Sequence, residues 1–222
     1  NLKYLKETLF CGHDRGTFVI NKDRAEQISS EIGTWDLKAI SAAPNLLLQG
    51  NYIGLNVLEN VNNRWRFRNK IEGFDISSRS FEFITSNEIL MSHEYKGVYR
   101  IKIDDAFTKV ENFKKLPIKE GFKSSVLNYN NSILYSFKSG VFHFNNETES
   151  FTKDSILSAL FSGENYVSGK FSIDEEQNRL WGFTKNEIIF VEPGILSNEP
   201  KASAIEISND IRQTKPGFED IL

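Results

Sequence analysis

The chain has 222 residues, with 27 Lys and Arg against 30 Asp and Glu, so its formal net charge is −3. With 39% hydrophobic residues, including 18 Phe, 7 Tyr and 3 Trp, it can bury a core, which excludes a disordered chain. The balanced charge, with no basic stripe, excludes nucleic acid as a partner of this segment. No apolar run approaches the roughly 18 to 20 residues that a membrane-spanning helix needs.

The residue types that are scarce and abundant favour an all-β fold. Only 8 residues are Ala, the best helix former, whereas 21 are Asn and 22 are Ser, which are common in turns. Cys11 is the single cysteine, so an intrachain disulfide is excluded. Met91 is the single methionine, so Asn1 is not a translation start, and we expect the sequence to be part of a longer protein.

Five copies of one short pattern follow one another along the chain. Each copy has a polar residue, an apolar run, a turn that Gly closes in four copies, and a second apolar run. The copies start at residues 7, 45, 87, 131 and 178, so their spacings are 38, 42, 44 and 47 residues. Because Gly supplies the positive φ that tight turns need, the pattern predicts five β-hairpins. They cover residues 7–20, 45–58, 87–101, 131–144 and 178–191.

Extended segments flank the hairpins and bring the count to four strands per unit. Residues 80–84 precede one hairpin, and residues 64–68, which alternate Arg with Trp or Phe, follow another as an outer strand should. A Gly-aromatic motif recurs before the first strand of the unit; its copies are Gly33-Thr34-Trp35, Gly73-Phe74, Gly121-Phe122 and Gly217-Phe218. Four-stranded units of about 40 to 50 residues are typical of β-propeller blades.

This repeat predicts an all-β chain of four-stranded antiparallel blades. Residues 1–196 are predicted to form about five blades, and residues 197–222 an exit segment that leads toward a following domain. The first hairpin lacks a convincing innermost strand before Leu9, so we expect the chain to start inside a blade. An incomplete ring exposes two blade faces and an unpaired edge, which predicts a homodimer or a shifted closure.

Residues 174–183, followed by 188–191, resemble the two-component-regulator propeller repeat, with its Leu180-Trp181 pair between two turns. Weaker copies lie at 51–55 and 94–99. The C-terminal part of the sequence resembles the exit from the last propeller blade of Bacteroidetes sensor proteins, in residues 192–196, 205–211 and 216–221. In those proteins this exit leads into a triple-tyrosine immunoglobulin-like domain. Only one copy has Leu-Trp, and Glu187 replaces the turn Gly.

The resemblance implies a periplasmic ligand-sensing module of a membrane-bound regulator, coupled to a histidine kinase or to a LuxR-type DNA-binding domain. Propellers of that family usually have seven blades, so the resemblance implies that this chain is the C-terminal part of a larger propeller. Membrane attachment would then come only from flanking regions outside these residues.

Candidate ligand-binding residues are the turn and loop residues of one rim, where the hairpin turns and the connections between blades should meet. The candidates are His13, Arg15, Trp35, Tyr52, His93 and Tyr95. Aromatic rings with charged neighbours suit a small-molecule, oligosaccharide or peptide ligand. The structural alternative is that the turn residues are merely solvated and that Phe74 and Phe122 pack between blades.

The sequence predicts no cofactor, no metal site and no catalytic residue. The histidines His13, His93 and His143 fall at positions that should not converge, and no nucleophile-elbow or zinc-protease motif is present. Two alternatives to a non-catalytic sensor stay open. A glycan-active propeller enzyme, sialidase-like or lyase-like, predicts acidic or His residues with perturbed pKa values converging on one rim. A protein-interaction scaffold predicts an exposed apolar patch.

Overall fold

A computed structural model describes residues 1–192 and the backbone of 203–206, and it consists almost wholly of β-strands. The strands form five sheets of four antiparallel strands, each in chain order from the innermost to the outermost strand. The predicted all-β propeller of four-stranded blades is therefore confirmed.

The five blades have the following strands. Blade 1 comprises β1 (Leu2–Leu5), β2 (Thr8–His13), β3 (Gly16–Asn21) and β4 (Arg24–Ser29). Blade 2 comprises β5 (Asp36–Ala39), β6 (Leu46–Asn51), β7 (Gly54–Val61) and β8 (Arg64–Lys70). Blade 3 comprises β9 (Ser80–Phe83), β10 (Glu88–His93), β11 (Gly97–Ile103) and β12 (Val110–Lys115). Blade 4 comprises β13 (Ser125–Tyr129), β14 (Ser132–Phe137), β15 (Gly140–Asn145) and β16 (Ser150–Asp154). Blade 5 comprises β17 (Ser172–Asp174), β18 (Arg179–Phe183), β19 (Glu187–Val191) and β20 (Ser203–Glu206).

Strand β1 gives blade 1 an innermost strand, so the expectation that the chain starts inside a blade is wrong. β1 pairs with β2, with Leu2 opposite Cys11. The turn between them is formed by Lys6 and Glu7, which have φ of 49° and 58°. Residues of these types rarely adopt positive φ, and so the sequence carries no Gly or Asn signal for this turn.

Asn supplies several of the other tight turns. Asn62 and Asn63 between β7 and β8 have φ of 52° and 61°, and Asn130 and Asn131 between β13 and β14 have φ of 51° and 59°. Paired positive φ values suit the hairpin turn whose twist matches that of the strands. The high Asn content therefore has a direct structural use.

The hairpin of blade 5 turns without Gly. The backbone N–H of Thr184 donates to the carbonyl of Glu187 at 2.9 Å, and the N–H of Glu187 donates to Oγ1 of Thr184 at 3.1 Å. This side-chain hydrogen bond stabilises the turn, in which Glu187 occupies the position that Gly has in the other four copies of the repeat.

Apolar clusters fill the four interfaces between consecutive blades. Phe10, Leu47 and Trp65 join blades 1 and 2, and a cluster that includes Leu48 joins blades 2 and 3. Two further clusters, one with Tyr135 and one with Leu180, join blade 3 to blade 4 and blade 4 to blade 5. Apolar burial between blades is the main term that stabilises the ring.

The outermost strands are far more polar than the inner ones. All six residues of β6 are buried, whereas five of the six residues of β12 are exposed. A short helix, α1 (Ser155–Phe161), leads from blade 4 toward blade 5 and was not predicted. Asp154 caps it by accepting a hydrogen bond from the N–H of Leu157 at 2.8 Å.

The C-terminal predictions fall largely outside the described residues. Residues 203–206, inside the segment assigned to the exit, pair with β19 as the fourth strand of blade 5. The rest of residues 193–222, with Gly217-Phe218 and the exit motif, lies outside the described residues, and the boundary at 196 stays a prediction. Within 1–192 and 203–206, no helix has the length and apolar character required to span a membrane.

Candidate functional site

The hairpin turns and the connections between blades share one rim, as the alternation of strand direction predicts. The connection before β5 packs on the β2–β3 turn, because Gly33 N–H donates to the carbonyl of Asp14 at 3.0 Å and Thr34 N–H donates to that of His13 at 3.2 Å. Tyr52 N–H in the β6–β7 turn reaches the carbonyl of Ile32 at 3.4 Å. The rim loops of blades 1 and 2 are therefore locked together.

A cavity of about 400 Å³ opens at this rim, and we call it the axial cavity. The innermost strands of blades 1 to 4 line it, together with residues 168–171 just before β17. All five blades therefore contribute to one site, which is where a propeller brings its repeats together.

Trp35 and Tyr52 form one side of the axial cavity. Their rings meet edge to face with centroids 5.2 Å apart. The guanidinium of Arg79 lies 4.9 Å from the Trp35 ring centroid, and the indole N–H donates to Oγ of Ser77 at 3.2 Å. Tyr52 donates its hydroxyl proton to Oδ1 of Asp14 at 2.6 Å, and this hydrogen bond, with some burial, raises the pKa of Tyr52. Both rings are thus held in place before any ligand arrives.

An ion-pair chain crosses the wall of the axial cavity through the innermost strands of blades 1, 2 and 3. Nζ of Lys3 lies 2.5 Å from Oδ1 of Asp36. Nζ of Lys38 lies 2.6 Å from Oε1 of Glu82 and 3.9 Å from Oδ2 of Asp36. Burial raises the pKa of Glu82, although the charge and the hydrogen bond of Lys38 act in the opposite direction.

Two lysines occupy the part of the axial cavity contributed by blades 4 and 5. The carbonyl of Lys123 accepts a hydrogen bond from Gly169 N–H at 3.0 Å, which places it beside Lys170 in the chain that leads into β17. The hydroxyl of Tyr166 lies 2.9 Å from the carbonyl oxygens of Phe122 and Lys123 and donates to them. Burial raises the pKa of Tyr166 to about 12, so this hydroxyl keeps its proton.

The structure brings three of the six predicted site residues to the axial cavity: His13, Trp35 and Tyr52 line it. Arg15, His93 and Tyr95 do not line it. Arg15 is exposed, and its N–H donates to Nδ1 of His13 at 3.1 Å.

His93 has the same turn-closing role in blade 3 that His13 has in blade 1. Its Nδ1 accepts from the N–H groups of Tyr95 at 3.1 Å and Lys96 at 3.2 Å. Burial, with the nearby charge of Lys96, lowers the pKa of His93, which favours the neutral ring that can accept these bonds. Tyr95 is 69% exposed and faces the ring of Phe122, with centroids 6.4 Å apart.

The Gly-aromatic motif has two different outcomes. Phe74 is 2% exposed and belongs to the cluster between blades 2 and 3, as the structural interpretation predicts. Phe122 is 57% exposed, so the expectation that it packs between blades is wrong. The backbone of its loop is held by the Tyr166 hydroxyl, which lies 2.9 Å from the carbonyl oxygens of Phe122 and Lys123, while the Phe122 ring stays exposed.

The charged residues of the axial cavity were not among the predicted site residues. A signal for four of them exists in the sequence: charged residues stand within short first strands that should be apolar inside a ring, namely Lys3, Asp36, Lys38 and Glu82. No comparable signal marks Lys123 and Lys170, which are loop residues.

Blade 4 contains a Ser–His–Asp hydrogen-bonded chain away from the axial cavity. Ser132 Oγ lies 2.8 Å from Nδ1 of His143, and Nε2 of that ring lies 2.8 Å from Oδ2 of Asp154. None of the three lines the axial cavity, and Asp154 also caps α1, so these contacts tie β14, β15 and the helix together. Among residues 1–192 and 203–206, no group of three or more His, Cys, Asp and Glu could hold a metal ion.

No protein-family model and no curated protein matches the chain. Solved structures do. The extracellular domain of the hybrid two-component system BT4673 of Bacteroides thetaiotaomicron has a TM-score of 0.66 and 13% identity, over 94% of this chain and 27% of that one. The extracellular domain of the hybrid two-component system BT3049 of the same species has a TM-score of 0.61 and 16% identity, over 91% and 27%.

An enzyme shares the fold as well. Virginiamycin B lyase of Staphylococcus aureus has a TM-score of 0.57 and 11% identity, over 93% of this chain and 69% of that one. This chain spans about 27% of the length of the two Bacteroides domains. At these identities the likeness shows the fold alone. Extracellular domains of two-component systems, the class of regulator whose propeller repeat the sequence resembles, are thus among the solved structures that share this chain's β-propeller architecture.

Proposed function

We propose that the chain is the ligand-binding propeller of a periplasmic sensor region, part of a membrane-bound two-component or LuxR-type regulator, and that it acts by binding rather than by catalysis. The observation that carries the proposal is the axial cavity, to which all five blades contribute and in which Trp35 and Tyr52 are held in a fixed pair. The likeness to extracellular domains of two regulators supports it.

A saccharide is the ligand that this arrangement suits. An aromatic ring face packs against the C–H surface of a sugar, while polar groups around it fix the orientation of the hydroxyls. A cavity of about 400 Å³ lies in the range of small-molecule sites and has room for one or two sugar rings. Hydroxyl groups of Ser80 and Ser125 also line it.

Binding at the axis couples the ligand to the arrangement of the blades. A ligand that contacts several blades at once favours the arrangement in which those contacts coexist, in proportion to its difference in affinity between states. We propose that this shift is what the output domain detects.

A binding experiment tests the proposal. Calorimetry and thermal-shift measurements on the full-length protein with a panel of oligosaccharides should show a ligand whose affinity falls about tenfold or more in Trp35→Ala. Phe183→Ala is the matched control, because Phe183 is 45% exposed on β18 and lies outside the axial cavity. Equal binding by wild type and Trp35→Ala would contradict the proposal.

A glycan-active enzyme is the second candidate, and one observation favours it. The carboxylates of Asp36 and Glu82 both approach Lys38 in the cavity wall, and a buried carboxyl with a raised pKa suits a general acid. The bound oligosaccharide should be incubated with the protein and analysed for cleavage. Cleavage that disappears in Glu82→Gln would establish the enzyme, whereas intact ligand supports the sensor.

An interaction scaffold and a homodimer both depend on the terminal faces of the ring. Leu2 and Tyr4 of β1 are 66% and 71% exposed. Light scattering on the purified protein checks for the homodimer, which stays a prediction.

A further inference from the structure

We propose that the axial cavity takes a saccharide that bears an anionic group, a carboxylate or a sulfate, and that Lys123 and Lys170 bind this group. The inference rests on the proposed saccharide-binding function and goes beyond it by naming the chemical class of the ligand.

The charges that line the axial cavity divide into paired and unpaired ones. Lys3 and Lys38 are neutralised by Asp36 and Glu82 at 2.5 and 2.6 Å. Arg79 pairs with Glu94. Among residues 1–192, Lys123 and Lys170 form no ion pair.

The Lys123 ammonium lies 5.4 Å from the centroid of the Phe122 ring, a contact that leaves its charge in place. The two lysines therefore leave this side of the cavity with an excess of positive charge. A concave site with walls of low dielectric focuses such a field and attracts anions. Asp36 and Glu82 do not cancel the field, because each has a lysine partner. Asp14, which accepts a hydrogen bond from the Tyr52 hydroxyl in the β2–β3 turn of blade 1, offsets only one of the two lysine charges.

The fold brings the two lysines together from different blades. Lys123 precedes β13 of blade 4 and Lys170 precedes β17 of blade 5, and the bond from Gly169 N–H to the Lys123 carbonyl joins the two segments. A Cβ on Gly169 would lie 2.3 Å from the carbonyl oxygen of Ser136. Only Gly permits this approach, so both backbones are fixed beside the cavity.

Hydroxyl groups line the same cavity as the two lysines. Ser80 and Ser125 line the cavity with their Oγ atoms 2.9 Å apart, and the N–H of Val126 donates to Oγ of Ser80 at 2.9 Å. Ammonium and hydroxyl donors that line one cavity suit a carboxylate or a sulfate, since hydrogen bonds between charged partners are the strong ones. Trp35 and Tyr52 lie elsewhere on the same cavity, where the sugar ring would pack.

Calorimetry on the full-length protein tests the inference with three ligands: digalacturonate, its neutral methyl ester, and a sulfated disaccharide. The acidic ligands should bind about tenfold or more tightly than the ester, and high salt should weaken only the acidic ones. The affinities for the carboxylate ligand and for the sulfated ligand, compared with each other, show which anion the site prefers.

Variants separate this inference from the proposed function. The double variant Lys123→Ala/Lys170→Ala should lose about tenfold or more on the acidic ligand and less than about twofold on the ester. Lys123→Arg/Lys170→Arg keeps the charge and should keep the preference. The control Lys109→Ala/Lys138→Ala removes two exposed lysines that, like Lys123 and Lys170, form no ion pair within residues 1–192 but lie outside the axial cavity, and it should change nothing.

Two negative outcomes are distinguishable. If acid and ester bind equally, or the alanine double variant keeps its preference for acid, the inference is overturned, while a loss of binding in Trp35→Ala still supports the saccharide site. If no ligand binds and Trp35→Ala matches wild type, both the proposed function and the inference are overturned.

Discussion

Blades 1 and 2 carry the same hairpin motif but bury it to very different extents. All six residues of β6 in blade 2 are buried, whereas Phe10 is the only fully buried residue of β2 in blade 1. Leu47 and Leu9 occupy equivalent positions of the repeat, yet Leu47 is 0% exposed and Leu9 is partly exposed. Blade 2 has a neighbour on both faces, and blade 1 has one described neighbour.

The comparison teaches that the repeat determines local structure while the neighbouring blades determine stability. Hairpin pairing is the same in both blades, with His13 opposite Gly16 and Asn51 opposite Gly54. The hydrophobic contribution scales with apolar area removed from water, which differs between them. Identical motifs therefore make unequal contributions to the free energy of unfolding.

The largest expected effect comes from the matched leucines. Leu47→Ala should lower the free energy of unfolding by about 2 to 5 kcal/mol, because it opens a cavity in the interface of blades 1 and 2. Leu9→Ala should cost only about 1 kcal/mol, because its side chain is already partly in water. Chemical denaturation measures both values. Equal losses of unfolding free energy in the two variants would contradict the conclusion that blades 1 and 2 contribute unequally to stability.

An intermediate effect is expected at the glycine that lies five residues after the start of each copy, Gly12 in blade 1 and Gly50 in blade 2. In both blades a neighbouring segment packs against this glycine. A Cβ on Gly50 would lie 1.9 Å from the carbonyl oxygen of Ser78, and one on Gly12 would lie 2.7 Å from that of Thr34. Gly50→Ala and Gly12→Ala should each destabilise by about 1 to 3 kcal/mol, with the larger loss for Gly50. The same denaturation experiment checks this, and a neutral Gly12→Ala would show that the contact of Gly12 with Thr34 can relax.

The smallest effect concerns Asp154, at the end of the outermost strand of blade 4. Burial favours its neutral form, but hydrogen bonds from His143 and from the N–H of Leu157 outweigh burial and lower the pKa of Asp154 below its ordinary value of 3.8. A carboxyl with a depressed pKa contributes stability that is complete above the unfolded pKa and is lost as pH falls through the folded pKa.

Asp154→Asn keeps an oxygen that can cap α1, so the loss at neutral pH should be about 0.5 to 1 kcal/mol. The variant should also lose less stability than wild type between pH 5 and pH 3. Thermal unfolding across this pH range measures the difference. Parallel pH profiles for the two proteins would mean that Asp154 does not contribute in this way.

Most of the fold was predictable because it depends on local signals. Five hairpins follow from apolar runs of four or five residues, which a Gly turn joins in four of the copies, and the period of the copies predicts blades. Two elements were missed for physical reasons. The turn at Lys6 and Glu7 uses positive φ without Gly or Asn, and α1 has only seven residues and follows β16 directly.

The candidate site was predictable only in part. Alternating strand direction predicts which rim carries the loops, so Trp35 and Tyr52 could be chosen from the sequence. The pairing of Lys38 with Glu82 requires the register of two adjacent blades, and the meeting of Lys123 with Lys170 depends on the close approach at Gly169. These are tertiary contacts between residues more than 40 positions apart in the chain. A local sequence pattern does not predict contacts of that kind.

The exposed, charged outermost strands have a consequence for solubility. An outermost strand has an unpaired edge, which in principle can add a strand from another molecule. In β8 and β12 that edge carries Arg64, Arg66 and Arg68, and Lys114 and Lys115. Lysine and arginine at such positions oppose intermolecular pairing, because a second edge of the same kind would bring like charges together. The perimeter of the propeller is therefore protected against fibre-like aggregation even while blades are still assembling.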